Sequence, residues 1–128
     1  IDLLVPKDSP LAKHTVIPHH ALKGEKVATL THDHGSALTV PIEKFLQECG
    51  AVPVFPAEGN AMAVERYAER HNICAIGVGW FPERPGLLTR RVEGMEFFLD
   101  FSVVIGSGAN LAAGEFFAFA KRWARNNN

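Results

Sequence analysis

The feature that most constrains this chain is an ordered sentence of structure, strand then polar turn then amphipathic helix, spoken twice between residues 26 and 79. Residues 26–31 alternate apolar and polar and predict a strand, which runs into the polar turn His32-Asp33-His34-Gly35-Ser36. Ile42, Phe45, Leu46 and Cys49 then fall at i, i+3, i+4 and i+7, one face of a helix. Pro41 fits the first turn of that helix, where a missing N–H costs nothing, and Gly50 fits a left-handed stop. Residues 51–55 restart the pattern as a short β-branched and aromatic strand, 56–59 form a turn, and Asn60 is placed to cap a second helix ending at Asn72. Ala61, Val64 and Ala68 mark its apolar stripe, which leaves Glu65, Arg66, Glu69 and Arg70 for the solvated face. Residues 73–79 are an apolar run too short for a helix, so they predict a buried strand of a parallel sheet. Strand, helix, strand, helix, strand at these intervals is an α/β pattern with a mostly parallel sheet and flanking helices.

The flanks follow other rules. Residues 1–5 are an apolar run closed by Pro6, a buried strand that starts without Met or a polar lead-in, as in a piece of something longer. Residues 11–22 are broken by Pro18 and by His14, His19 and His20, an irregular crossing with room for one helical turn. After Trp80 a Pro- and Gly-rich turn at 81–86 precedes two expected strands, 87–92 and 95–105. Gly106-Ser107-Gly108 breaks the second. Asn110 can then cap a terminal helix with Ala112, Phe116, Phe119, Ala120 and Trp123 along one stripe, and the tail at 126–128 should fray.

Several function classes are disfavoured by composition. With 47% apolar and 21% charged residues over 128 positions, the chain should bury a core. Its thirteen basic and fourteen acidic residues leave a net charge of −1 with no basic run, which argues against electrostatic nucleic-acid binding by this segment. Cys49 and Cys74 lie in apolar-periodic segments far from a C-x-x-C spacing and read as small buried hydrophobes. There is no apolar stretch of membrane-spanning length and no secretory leader pattern, so a cytoplasmic location is expected. Without a Gly-x-Ser-x-Gly, a phosphate-binding glycine loop or convincing paired acids, catalysis is not expected, nor is a cofactor.

The segment Val5-Pro6-Lys7-Asp8-Ser9-Pro10-Leu11-Ala12 resembles the stretch by which LysR-type transcriptional regulators leave their first effector lobe. The order that follows is similar too: Ala21-Leu22-Lys23-Gly24, a strand, a Gly35-Ser36 loop, a helix ending in Gly50, residues 52–55, a second helix, a hydrophobic strand, a crossing strand at 101–105 and a last helix with Phe116 and Phe119. Two departures stand out, Arg70-His71-Asn72-Ile73 and Val78-Gly79-Trp80-Phe81-Pro82, where the family usually carries Gly-x-Gly and Leu-Pro. The resemblance implies the second lobe of a two-lobed domain like the periplasmic binding proteins: residues 1–10 as a lobe-one strand and crossover, 11–100 as lobe two, and 101–128 as the returning strand and helix of an incomplete lobe one. It implies a small-molecule effector in the interlobe cleft, operator DNA reached only through an N-terminal helix-turn-helix outside this chain, and a homo-oligomer. The alternatives are a transport-type solute-binding protein and a small metal-dependent hydrolase.

Candidate ligand contacts follow from where the loops emerge. Loops before helices leave strand C-terminal ends, where crevices form, and present unpaired helix N–H groups that suit an anionic effector. Gly35, Ser36 and Thr39 before the first helix, and Gly59, Asn60 and Ala61 at the second, are the candidates, though Ser36, Thr39 and Asn60 could serve only as caps. Trp80 could wall the pocket or pack between lobes. His32 and His34, with Asp33 between them, are ligand types for zinc, but a site built on the histidine pair needs a third protein ligand, which His19 or His20 would supply only by tertiary accident. Arg90 and Arg91 adjoin a strand and should point to opposite faces, so at most one is expected to meet a ligand. Phe97, Phe98 and Phe101 read as core or interface.

Overall fold

The structure is a computed structural model that describes residues 1–31, 33, 37–79, 83–99 and 104–127. It separates into two units, 1–98 and 99–128. The first is built on a six-stranded mixed sheet of β1 (Asp2–Pro6), β2 (Val16–Ile17), β3 (Lys26–Ala28), β4 (Val52–Val54), β5 (Cys74–Gly77) and β6 (Leu87–Val92), in the order β2-β6-β1-β5-β3-β4. β3 runs parallel to β4 and β5, and β2 parallel to β6, whereas β1 is antiparallel to both its neighbours. The run at 1–5, expected as a buried strand within a lobe-one strand and crossover, forms an interior strand of this sheet.

Strand alternation sorts side chains to two faces, each with its own helix. On one face Leu3, Val5, Val27, Cys74 and Ile76 pack with Ile42 and Leu46 of α1 (Thr39–Glu48) and with its C-cap Cys49. On the other, Ala28 and Ala75 pack with Val64 and Ala68 of α2 (Ala61–His71). Small residues on that second face let α2 lie close to the sheet. Leu3, Leu22 and Leu46 are wholly buried, a burial that contributes about 1.5–3 kcal/mol per side chain. The edge strand β4 tolerates Pro53 because one side of it needs no ladder partner.

The helix ends match their sequence signals. Asn60 Oδ1 accepts a hydrogen bond from Ala63 N at 2.9 Å, and Asn72 closes α2 in the left-handed region at φ 52°. Gly50 follows α1 at φ 74°. The irregular stretch at 11–22 resolves into two 3-10 turns, Pro10–Lys13 and His19–Leu22, around β2.

One expected strand is not formed. Of residues 95–105, those described, 95–99 and 104–105, carry no strand. Gly94 at φ 78° and the hydrogen bond from Met95 N to Val92 O turn the chain out of β6. Beyond the turn, side chains hold the segment: Met95 is buried, and Phe97 meets Phe45 edge to face at 5.9 Å. The second unit carries α3 (Leu111–Asn126), capped by Asn110, whose Oδ1 accepts from Ala113 N at 2.9 Å.

Candidate functional site

β3, β4 and β5 run in one direction, so the segments that follow them leave the same end of the sheet. The chain after β3 turns to α1 on one face, and the chain after the neighbouring β4 turns to α2 on the opposite face. Adjacent loops that diverge in this way leave a crevice at the strand ends, with two helix N-termini beside it. Their first N–H groups lack intrahelical acceptors and carry partial positive charge, so the crevice favours an anionic group.

Thr39, Gly59, Asn60 and Ala61 all belong to this end of the sheet. Thr39 is the first residue of α1 and is buried, and the preceding cap position is taken by Leu38, which makes no side-chain cap hydrogen bond. Asn60 is exposed and does act as a cap, with Gly59 and Ala61 half-buried on either side. Gly35, Ser36 and Trp80 lie outside the described residues, as do His32, His34 and Phe101. Among the described residues no group of three His, Cys, Asp or Glu side chains converges as a metal site, and Asp33 is an exposed turn residue.

Sequence periodicity misassigned one side chain close to this end. Glu65, expected on the solvated face of α2, is only 4% exposed. Its Oε2 accepts a hydrogen bond from Arg84 Nε at 3.4 Å, while Arg84 Nη1 donates to Glu69 Oε2 at 3.3 Å and Gly86 N donates to Glu69 Oε1 at 3.3 Å. The segment 84–86 folds down over α2 and covers a helix face that would otherwise be wet. Burial pushes the Glu65 carboxyl above the usual range, against the opposing pull of Arg84. Asp2, Leu4, Glu65, Gly79, Arg84 and Leu87 contribute to a pocket of about 460 Å³ beside this cluster.

Both cysteines are buried and free. Burial, with a smaller contribution from Glu25, pushes the Cys74 thiol up to about 12, and burial with Glu48 raises that of Cys49. No helix among the described residues is long and apolar enough to cross a membrane.

No protein-family model matches the sequence, and no curated protein does. Solved structures do. The chain is similar over 92% of its length to the regulatory domain of CcmR from Synechocystis PCC6803, solved in complex with 2-PG, at a TM-score of 0.62 and 14% identity. It is similar over 74% of its length to oxidised OxyR, at a TM-score of 0.55 and 20% identity, and over 70% to the reduced regulatory domain of OxyR from Pseudomonas aeruginosa, at 0.52 and 14%. The chain spans 59%, 46% and 44% of those three structures. Its fold is therefore similar to that of part of these regulatory domains.

Proposed function

We propose that this chain is the ligand-sensing part of a LysR-type transcriptional regulator, and that it acts by binding rather than by catalysis. The observation that carries the reading is the fold shared with the CcmR regulatory domain over 92% of the chain. The resemblance at residues 5–12, and the order of elements after it, support the same family independently of the coordinates. A small anionic effector suits the crevice between the loops after β3 and β4, held by the N-terminal N–H groups of α1 and α2 and by Thr39, Gly59, Asn60 and Ala61, with Gly35, Ser36 and Trp80, which lie outside the described residues, as further proposed contacts. CcmR was solved with 2-PG, so a small organic acid is a reasonable effector class here as well.

In this reading the chain comes from lobe one through residues 1–10, whose β1 joins the lobe-two sheet, and 11–100 build the rest of lobe two. Residues 101–128 return to lobe one, most of which this chain does not contain. The effector changes the balance of lobe arrangements and so the placement of DNA-binding domains carried elsewhere. The regulator is a cytoplasmic homo-oligomer. A thiol-based signal is disfavoured, because reactivity needs an accessible thiolate, and both cysteines are buried with raised thiol pKa values.

The gene sequence upstream of Ile1 tests the reading. A helix-turn-helix followed by a linker helix and a first lobe is the expected result. A secretory leader there would instead make the protein a transport-type solute-binding protein.

A further inference from the structure

Among the described residues, β6 has no partner along part of one side. Arg91 and Val92 pair with Val16 and Ile17 of β2, but Thr89 and Arg90 pair only with β1. The missing neighbour leaves a pocket of about 490 Å³ at the sheet edge, lined by Lys13, Thr15, Thr89, Arg90 and Arg91, with His14 next to Lys13 and Asp2 at the other side. Alternation alone sends Arg90 and Arg91 to opposite faces. Both nevertheless line this one pocket, because at an open edge a cavity can wrap around the strand.

The charge in this pocket is unbalanced and partly fixed in place. Arg90 donates from Nε at 3.3 Å and Nη2 at 3.0 Å to Ala12 O, and from Nη1 at 2.9 Å to Thr89 O. Those carbonyls orient the guanidinium but carry no net charge, and two of its five N–H bonds remain for a ligand. Arg66 and Arg84 pair with glutamates, whereas among the described residues no ion pair involves Lys13, Arg90 or Arg91. Among the residues that line the pocket, Lys13, Arg90 and Arg91 are cationic and Asp2 alone is acidic. Thr15 and Thr89 add hydroxyl donors. A pre-oriented guanidinium, two further cations and neutral donors around one concavity match a doubly charged oxyanion better than a single carboxylate.

We propose that this pocket is an anion site for a phosphate monoester, distinct from the crevice at the starts of α1 and α2. Occupancy would tie the 13–15 connection to β6 across the open edge of the sheet.

The test is equilibrium dialysis of radiolabelled inorganic phosphate against the protein, at constant ionic strength in chloride, with hydrogen–deuterium exchange to locate the site. Lys13 and Arg91 are exposed, so Lys13→Gln and Arg91→Gln should keep the fold, checked by circular dichroism. The expected result is saturable one-site binding that slows exchange at 12–16 and 88–92. Each variant should weaken it about tenfold and the double variant abolish it. Non-saturable uptake, uptake unchanged in the double variant, or protection confined to the starts of α1 and α2 would overturn the proposal. The last of these would still leave the effector crevice standing.

Discussion

Arg84 reaches across from the segment after β5 to donate from Nε to Oε2 of Glu65 at 3.4 Å, pairing the buried carboxylate of α2. Glu65 is held above its ordinary pKa by desolvation, with Arg84 opposing. Folding thus shifts Glu65 toward its protonated form relative to the unfolded chain. The associated stability is fully present below the unfolded-state pKa and is lost as pH rises through the raised folded-state value. Glu65→Gln should flatten this part of the pH-stability profile. Arg84→Ala removes the only lowering influence and leaves a buried carboxylate unpaired, which should cost about 3 kcal/mol above neutral pH and much less in acid. Denaturant melts of the three proteins across pH check both outcomes.

Gly77 is required by close approach, at an ordinary backbone conformation. A Cβ added there would lie 2.8 Å from Cγ of Leu4, a side chain packed against the α2-side cluster. Gly77→Ala should destabilise the chain by about 1–3 kcal/mol, and Leu4→Ala in the same chain should recover part of that loss. A thermal melt of the single and double variants reads the coupling.

The two thiols should be inert in the folded state. Cys74 is 2% exposed with its thiol pushed up to about 12, so at pH 8 it is protonated and shielded. Cys49 is also buried and raised. Ellman's reagent should report no fast-reacting thiol in native protein and two after denaturation. A rapid native reaction at either residue would reopen the thiol-signal reading.

How much of this was readable in the residues follows from the range of the forces involved. α1 and α2 were legible because their signals are local: the Ile42, Phe45, Leu46, Cys49 face, and the caps Asn60 and Asn72 with Gly50. The α/β class followed from the same alternation. The strand pairing of β1 with β5 and β6 was not legible, because register depends on residues more than 70 positions apart. Glu65 was misplaced for the same reason, since its cover comes from Arg84. Alternation separated Arg90 and Arg91, yet both line one pocket, because a cavity at the sheet edge can wrap around the strand. Of the expected strand at 95–105, the described residues carry none: Met95 and Phe97 find apolar contacts without a ladder partner, while Phe98 stays exposed. Of the site candidates, Asn60 was legible as a cap. Its position at the same end of the sheet as the start of α1 needed the tertiary fold.

Self-association should be strong. α3 leaves Phe116, Phe119 and Trp123 more than half exposed, at 61%, 56% and 61%, and buries none of its residues. Sedimentation velocity across a concentration series should show mass rising with concentration. Phe116→Ser with Trp123→Ser should reduce that rise. A monomer unchanged at high concentration would show that this apolar surface is not an association surface.

The most direct test of the sensing account is hydrogen–deuterium exchange on the protein that carries this chain, with and without 2-PG and a panel of small organic acids and phosphate esters. The account predicts that at least one of them slows exchange at 37–42 and 59–64, the starts of α1 and α2. Asn60→Asp retains a cap but adds negative charge, so it should weaken that ligand about tenfold at unchanged melting temperature. No protection at either helix start from any member of the panel, or an effector whose affinity Asn60→Asp does not alter, would contradict it.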